Sequence, residues 1–275
     1  LMFNFEWSNK TLFYGIYERI NSFWENSYLK AEGVAGPGER AFLDPIADKL
    51  PDGVLDQPVV MAPTSSERQL DRKNLRRASA LLDEAGWPVG DDGMRRNAAG
   101  ETLKVEILND SQSFDRVINP YVENLRALGV DAVLTRIDNA QMTERERSFD
   151  FDMVIGNFRT ALTPSTELEQ YFGSESAEFS IFNLAGYGTE AVDSLIDAVE
   201  AAEDRKTLDD AIRALDRVLR AEVFWVPQWF RNIHTIAYYD MYRYPENLPP
   251  YALGTLDFWW FDQASHDRLK AAGAF

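Results

Sequence analysis

Between residues 102 and 156 the chain switches repeatedly between two hydrophobic periods, and this switching limits its fold more than any other feature. TLKVEIL (102–108) and VDAVLTRI (130–137) read as strands, and residues 112–128 between them carry a helical pattern that stops at Gly129. A second helical stretch, 139–148, leads into a third strand, FDMVIG (151–156). Strands alternating with helices bury a sheet beneath helices, so this region is an α/β layer.

The flanks add mostly helices. Asn4 is placed to cap a helix across 5–16, with Phe5, Leu12, Phe13 and Ile16 on one side. Residues 33–64 are rich in Gly and Pro and read as an extended surface excursion. A helix spans 68–87, with Leu75, Ala78, Leu81, Leu82 and Ala85 at helical spacing and Gly86 as its stop. Residues 92–108 read as a hairpin feeding the first strand. After a short helix near 166–172, two more cover 189–203 (Val192, Leu195, Ile196 and Val199 inward) and 207–222 (Leu208, Ile212, Leu215 and Leu219 inward). Thr207 with Asp210 resembles a capping box, and the aromatic tail contains a strand at 232–239.

Composition excludes several kinds of partner. A net charge of −17 opposes nucleic acid, which needs clustered cations, and opposes docking on anionic lipid; it favours a soluble monomer. The chain has no cysteine, hence no disulfide and no thiolate site, and this suits an extracytoplasmic bacterial protein without proving the compartment. Two histidines, His234 and His266, are too few for a histidine-rich metal site. No apolar run reaches the length of a membrane span, and no signal peptide is visible. The abrupt apolar opening, LMFNFEWSNK, reads as a piece cut from inside a longer fold.

No catalytic constellation emerges. There is no Gly-x-Ser-x-Gly elbow, and GVAGPG (33–38) lacks the Lys and Ser/Thr of a phosphate loop and follows no strand. Asp150 and Asp152 alternate with Phe151 and Met153, which places both acids on the solvated face of a strand. No metal or cofactor is called for. A chain without reactive groups but with 13% aromatic residues, seven of them Trp, reads first as a binding module.

The order of segments then becomes recognisable. NFEWSNKTLFYGIYERINSFWENS (4–27), LLDEAGW (81–87), DGMRRNAAGETLKVEIL (92–108), DFDMVIGNF (150–158) and VPQWF (226–230) together resemble the family 5 extracellular solute-binding proteins, receptors of ABC importers for peptides and related solutes. FEW, NKTLFYG and SFWENS are most similar to the Yej-type subgroup, associated with oligopeptides and microcin C. The resemblance implies a periplasmic-binding-protein-like α/β lobe, a mixed sheet flanked by helices, forming part of a two-lobed class II-like protein. Residues 1–225 would be its second lobe, and 226–275 the segment returning across the hinge to a first lobe.

It also implies a periplasmic monomer that needs no cofactor and that hands a peptide or peptide-like solute to a membrane permease. In such receptors the strand corresponding to 151–156 ends at the inter-lobe cleft. Gly156 would admit the ligand backbone, Asn157 would offer donors and an acceptor, Phe158 an apolar wall, and Arg159 a partner for a carboxylate. Trp229 or Phe230 would stack on ligand or pack between helix and sheet. One departure matters: GNFRTALTPSTE (156–167) lacks the Asp that pairs with a peptide amine in classical oligopeptide receptors, so an acidic or modified ligand suits Arg159 better. The competing readings are an acid/base hydrolase and a sensor or chaperone-like binding protein on the same fold.

Overall fold

Asn4 opens the first helix, α1 (Phe5–Leu12), by accepting the Trp7 backbone N–H at 2.9 Å. This computed structural model describes residues 1–250 and 252–275. Helix α1 stops at Leu12 rather than at 16, because Tyr14 and Gly15 turn into the left-handed region and lead into strand β1 (Glu18–Arg19). Residues 33–64 are not a surface excursion. Gly36 and Pro37 start a helix, α2 (Pro37–Leu43), whose Glu39 carboxylate accepts from the Gly36 N–H at 2.7 Å. A 3-10 turn follows at Asp44–Lys49, and Ala35, Leu43 and Val54 join the main core. Glycine and proline mark turns, but the apolar residues between them decide whether the segment stays on the surface.

The expected α/β layer is present. It comprises α3 (Arg72–Glu84), β2 (Lys104–Asn109), α4 (Gln112–Ala127), β3 (Asp131–Arg136), α5 (Asn139–Arg147) and β4 (Met153–Val154). The strands run parallel in the order β3-β2-β4, with Ile107 opposite Leu134 on one side and Met153 on the other. Antiparallel pairing occurs in two separate two-stranded ladders and in the isolated bridges Val89–Arg95 and Arg96–Thr102 of the hairpin before β2. Ala78, Ile107, Ile118, Val122, Val130 and Ala132 form the buried core between helices and sheet. Leu81 and Ala85, although at helical spacing with Leu75 and Ala78, face solvent; the buried stripe of α3 passes through Asn74 instead, whose amide donates to the Thr64 carbonyl at 3.0 Å. Gly129 has a φ of +87°, and a Cβ there would lie 2.5 Å from the Gly93 carbonyl, so only glycine lets the hairpin close on the end of α4. Strand β4 is shorter than the expected 151–156, and at its start the Asp152 carboxylate accepts the Glu106 N–H at 2.7 Å.

The second core gathers α2, α6 (Glu167–Phe172), α7 (Glu190–Glu200) and α8 (Arg205–Ala221). Val192, Leu195, Ile196, Val199, Leu208, Ile212, Leu215 and Leu219 point inward as their spacing requires, each contributing about 1.5–3 kcal/mol by burial. The cap of α8 differs from expectation. Asp204 accepts the Thr207 N–H at 2.9 Å, while Asp210 pairs with Lys206 and Arg213, so Thr207 and Asp210 form no capping box. Strand β5 (Trp229–Phe230) then pairs antiparallel with β1.

These elements form one unit, Leu1–Phe230; Arg231–Phe275 forms another. In the second, residues 231–239 form no strand, contrary to the sequence pattern; they are exposed, and no neighbouring ladder takes up their backbone groups. Instead β6 (Tyr242–Arg243) pairs with β7 (Trp260–Phe261), and α9 (Gln263–Ala271), which carries His266, is capped by Asp262. Trp259 donates to the Leu253 carbonyl and tilts against Tyr244, whereas Trp260 is exposed. Among the described residues, no helix is long and apolar enough to cross a membrane.

Candidate functional site

Parallel strands end on the same side, and ligands of open α/β sheets bind in the crevice beyond those carboxyl ends. At this edge β4 runs on through Ile155 into Gly156, Asn157, Phe158 and Arg159. Gly156, Asn157 and Arg159 are exposed, and the side chains of Asn157 and Arg159 have no partner among the described residues. A Cβ at Gly156 would meet no atom within 4 Å, and its φ lies outside the left-handed region. Neither packing nor backbone conformation therefore calls for glycine there. What the glycine leaves is open backbone beside an amide and a guanidinium.

Phe158 turns the other way. Its ring meets Phe23 edge-on at 4.9 Å, stacks on Phe172 at 5.6 Å and meets Trp225 edge-on at 6.0 Å. It is half-buried and pins the strand exit to the helical core. The Thr160 hydroxyl adds a second tie, donating to the Phe23 carbonyl at 2.8 Å.

Phe23 is held in turn by Asp216, a fully buried acid on α8 that the sequence analysis passed over. Its carboxylate accepts from the Ser22 hydroxyl (2.9 Å), the Phe23 N–H (3.1 Å) and the Ala31 N–H (2.9 Å), and pairs with Arg220 at 3.2 Å. Burial pushes the Asp216 carboxyl up from its ordinary value, against the pull of Arg220 and the three donors. The available clue was an acid between inward Leu215 and Leu219, with an arginine four residues on.

Trp229 sits in a second aromatic cluster, stacked on Phe3 at 6.2 Å and Phe114 at 6.3 Å and tilted against Phe13 at 4.8 Å. Phe114 lies in the first turn of α4, directly after β2, so Trp229 reaches the same sheet edge as Phe158. Residues 225–230 run along that edge, from the Phe158 cluster at Trp225 to the Phe114 cluster at Trp229. Phe230 is half-buried in β5, opposite Glu18. Opposite Trp229 is Arg19, its guanidinium carbon 5.4 Å from the centres of both the Phe3 and Phe5 rings. Burial lowers its pKa to about 10 despite nearby Glu6.

The two acids considered for acid/base work are otherwise engaged. Asp150 lies 2.9 Å from Arg145, and Asp152 holds the Glu106 N–H. His234 is exposed in the element-free segment and His266 stands on α9, so no constellation joins them.

Comparison with known sequences defines the class of protein in which this sheet edge occurs. Residues 1–179 match the family described as bacterial extracellular solute-binding proteins, family 5 Middle, and the chain belongs to this family. Among individual relatives, it is similar to the probable peptide-binding protein YejA of Agrobacterium fabrum, 38% identical over 265 residues that make up 96% of this chain and 43% of the relative. The chain thus spans less than half the length of the curated relatives it matches.

Solved structures share its fold. A periplasmic oligopeptide-binding protein of Thermotoga maritima, solved with mannohexaose, superposes with a TM-score of 0.59 at 16% identity, over 84% of this chain and 39% of that one. AppA of Bacillus subtilis, an oligopeptide-binding protein in complex with a nonapeptide, superposes with a TM-score of 0.55 at 13% identity, over 90% of this chain and 52% of that one. The fold is therefore the α/β architecture of periplasmic solute-binding proteins, as the resemblance implied.

Proposed function

We propose that this chain is part of the extracytoplasmic receptor of an ABC importer, a periplasmic protein that binds peptides or peptide-like solutes and delivers them to a membrane permease. The observation that carries this reading is its 38% identity to a probable peptide-binding protein over 96% of its length. The geometry supports it: an exposed glycine, amide and guanidinium stand at the carboxyl edge of a parallel sheet, anchored by Phe158 in the core.

In this reading Gly156, Asn157 and Arg159 face the solute, Phe158 supplies the apolar shoulder, and Trp229 and Phe230 close the same edge. Residues 1–225 serve as one lobe and 226–275 as the return across the hinge, so that closure of the lobes traps the solute. Because residues 156–167 hold no aspartate for a free amine, Arg159 selects ligands with an acidic or modified end, a microcin C-type conjugate among them. The solute leaves unchanged, so no catalytic group or cofactor takes part.

Native mass spectrometry of the full-length protein tests the class first: co-purified peptide-like masses are expected, and steady turnover of any peptide would sink the receptor reading. Calorimetry with such a ligand tests the site. Arg159→Ala should weaken binding by about 1.5–3 kcal/mol, as for a hydrogen bond to a charged group. An unchanged affinity removes Arg159 from the site.

A further inference from the structure

The charges of α3 stand in an order that the helix's own stability opposes. Arg72 and Lys73 occupy a first turn that has no acidic residue, and the helix ends on Asp83 and Glu84. Cations at the amino end and anions at the carboxyl end both run against the helix dipole. Arg72 with Arg76, and Lys73 with Arg77, are like charges four residues apart, which adds repulsion.

Helix α8 shows the ordinary remedy. It also begins with cations, Arg205 and Lys206, but Asp209 and Asp210 stand four residues on and pair with them. In α3 those positions are filled by Arg76 and Arg77. Arg68, Arg72, Lys73, Arg76 and Arg77 are all exposed, and none forms an ion pair among the described residues. The acids next to them are occupied: Asp71 caps the helix, and Glu67 pairs with Lys10. Packing does not require the cations either, since Asn74 and Ala78 form the buried face. Leu81, 48% exposed, continues the cationic face one turn beyond Arg77. At the carboxyl end Asp83 is accounted for by its pair with buried Arg95, whereas the cations have no such partner among the described residues, and a local conflict left uncompensated points to function.

The partner follows from charge. Five exposed cations on a protein of net charge −17 make a local attractive strip on a repulsive body. A flat anionic bilayer would bring the surrounding acidic surface within a Debye length of roughly 8 Å and be repelled. A linear acidic segment can lie on the strip alone, which from Arg72 to Leu81 runs for about 14 Å at the helical rise. We propose that the solvent face of α3 docks an acidic polypeptide segment of a partner protein, with Leu81 as its apolar end-stop.

The test is fluorescence anisotropy of a labelled poly-glutamate peptide with the full-length protein at low and high ionic strength. Binding is expected at low salt, weakening roughly tenfold or more at high salt. A variant carrying Arg72→Gln, Lys73→Gln, Arg76→Gln and Arg77→Gln should lose roughly tenfold at low salt while melting no lower than the wild type. Lys206→Gln, a cation already paired, should leave the peptide affinity unchanged. Solute affinity at the β4 exit is read separately and should not move, so failure here is distinct from failure of the receptor reading. Equal peptide binding by the fourfold variant, no binding by the wild type, or binding to phosphatidylglycerol vesicles in preference to the peptide each overturns the proposal.

Discussion

At the scale of single residues, Asp216 supports the candidate site from behind, through Phe23 and the Phe158 ring that rests on it. A fully buried acid is costly unless its oxygens are satisfied, and here three donors and Arg220 satisfy them. Removing it would leave the donors from Ser22, Phe23 and Ala31 without their acceptor and Arg220 without its counter-charge, though still donating to the Val60 and Ala31 carbonyls. Asp216→Ala should therefore cost about 3–5 kcal/mol in urea unfolding. It should also loosen the ring on which Phe158 rests, seen as altered near-ultraviolet circular dichroism. Phe158→Ala should cost less, about 1.5–3 kcal/mol, because the ring is half-buried at the core's edge. If Phe158 both anchors the exit and faces solute, that variant should weaken ligand and fold together; a loss of stability alone would assign it to the core.

At the scale of elements, α3 gives the sharpest case. Its cap, Asp71, accepts N–H groups from Asn74 (2.9 Å), Ser66 (2.8 Å) and Lys73 (2.8 Å), led by the bond from Asn74, and these lower its pKa to about 2. A carboxyl whose folded pKa is depressed stabilises the fold fully above the ordinary aspartate value and loses that contribution as pH falls through the folded one. The melting temperature of the wild type should thus fall between about pH 4 and pH 2 more steeply than that of Asp71→Asn, which keeps a capping side chain but cannot titrate. Parallel slopes would show that the cap carries no such linkage. In the following turn, Arg72→Glu should raise stability by about 0.3–1 kcal/mol, because it reverses a charge that opposes the dipole. Thermal unfolding decides this, and a fall in stability would mean that Arg72 has a structural partner.

At the scale of the whole molecule, two units divide the work of burial unequally. Leu1–Phe230 holds all three buried clusters, whereas Arg231–Phe275 leaves Ile233, Ile236, Tyr238, Tyr239, Leu256 and Trp260 exposed around one short ladder and one helix. A unit that small buries too little surface to be stable alone. Limited proteolysis should cut first within 231–240, an exposed stretch without regular structure, and release an intact 1–230 fragment. A first cut inside α7 or α8 would contradict this division.

What the sequence alone determined is what depends on local period and local chemistry. Apolar residues at helical spacing predict the inward faces of α7 and α8, and the switch to strand period predicts β2, β3 and the α/β layer. Asn4 and Gly129 mark helix ends because a cap and a left-handed turn need only neighbouring residues. The tertiary structure decided whatever depends on a distant partner. It folded residues 33–64 onto α8, turned Leu81 outward and Asn74 inward, and closed β4 after two residues. Ser22 and Asp216 lie 194 positions apart and meet at 2.9 Å, and no periodicity carries that information. The same holds for the candidate site. The polar exit at Gly156, Asn157 and Arg159 was legible in the sequence, as a strand ending on polar groups. Its placement at the sheet edge beside Trp225 was not, because long-range packing sets it.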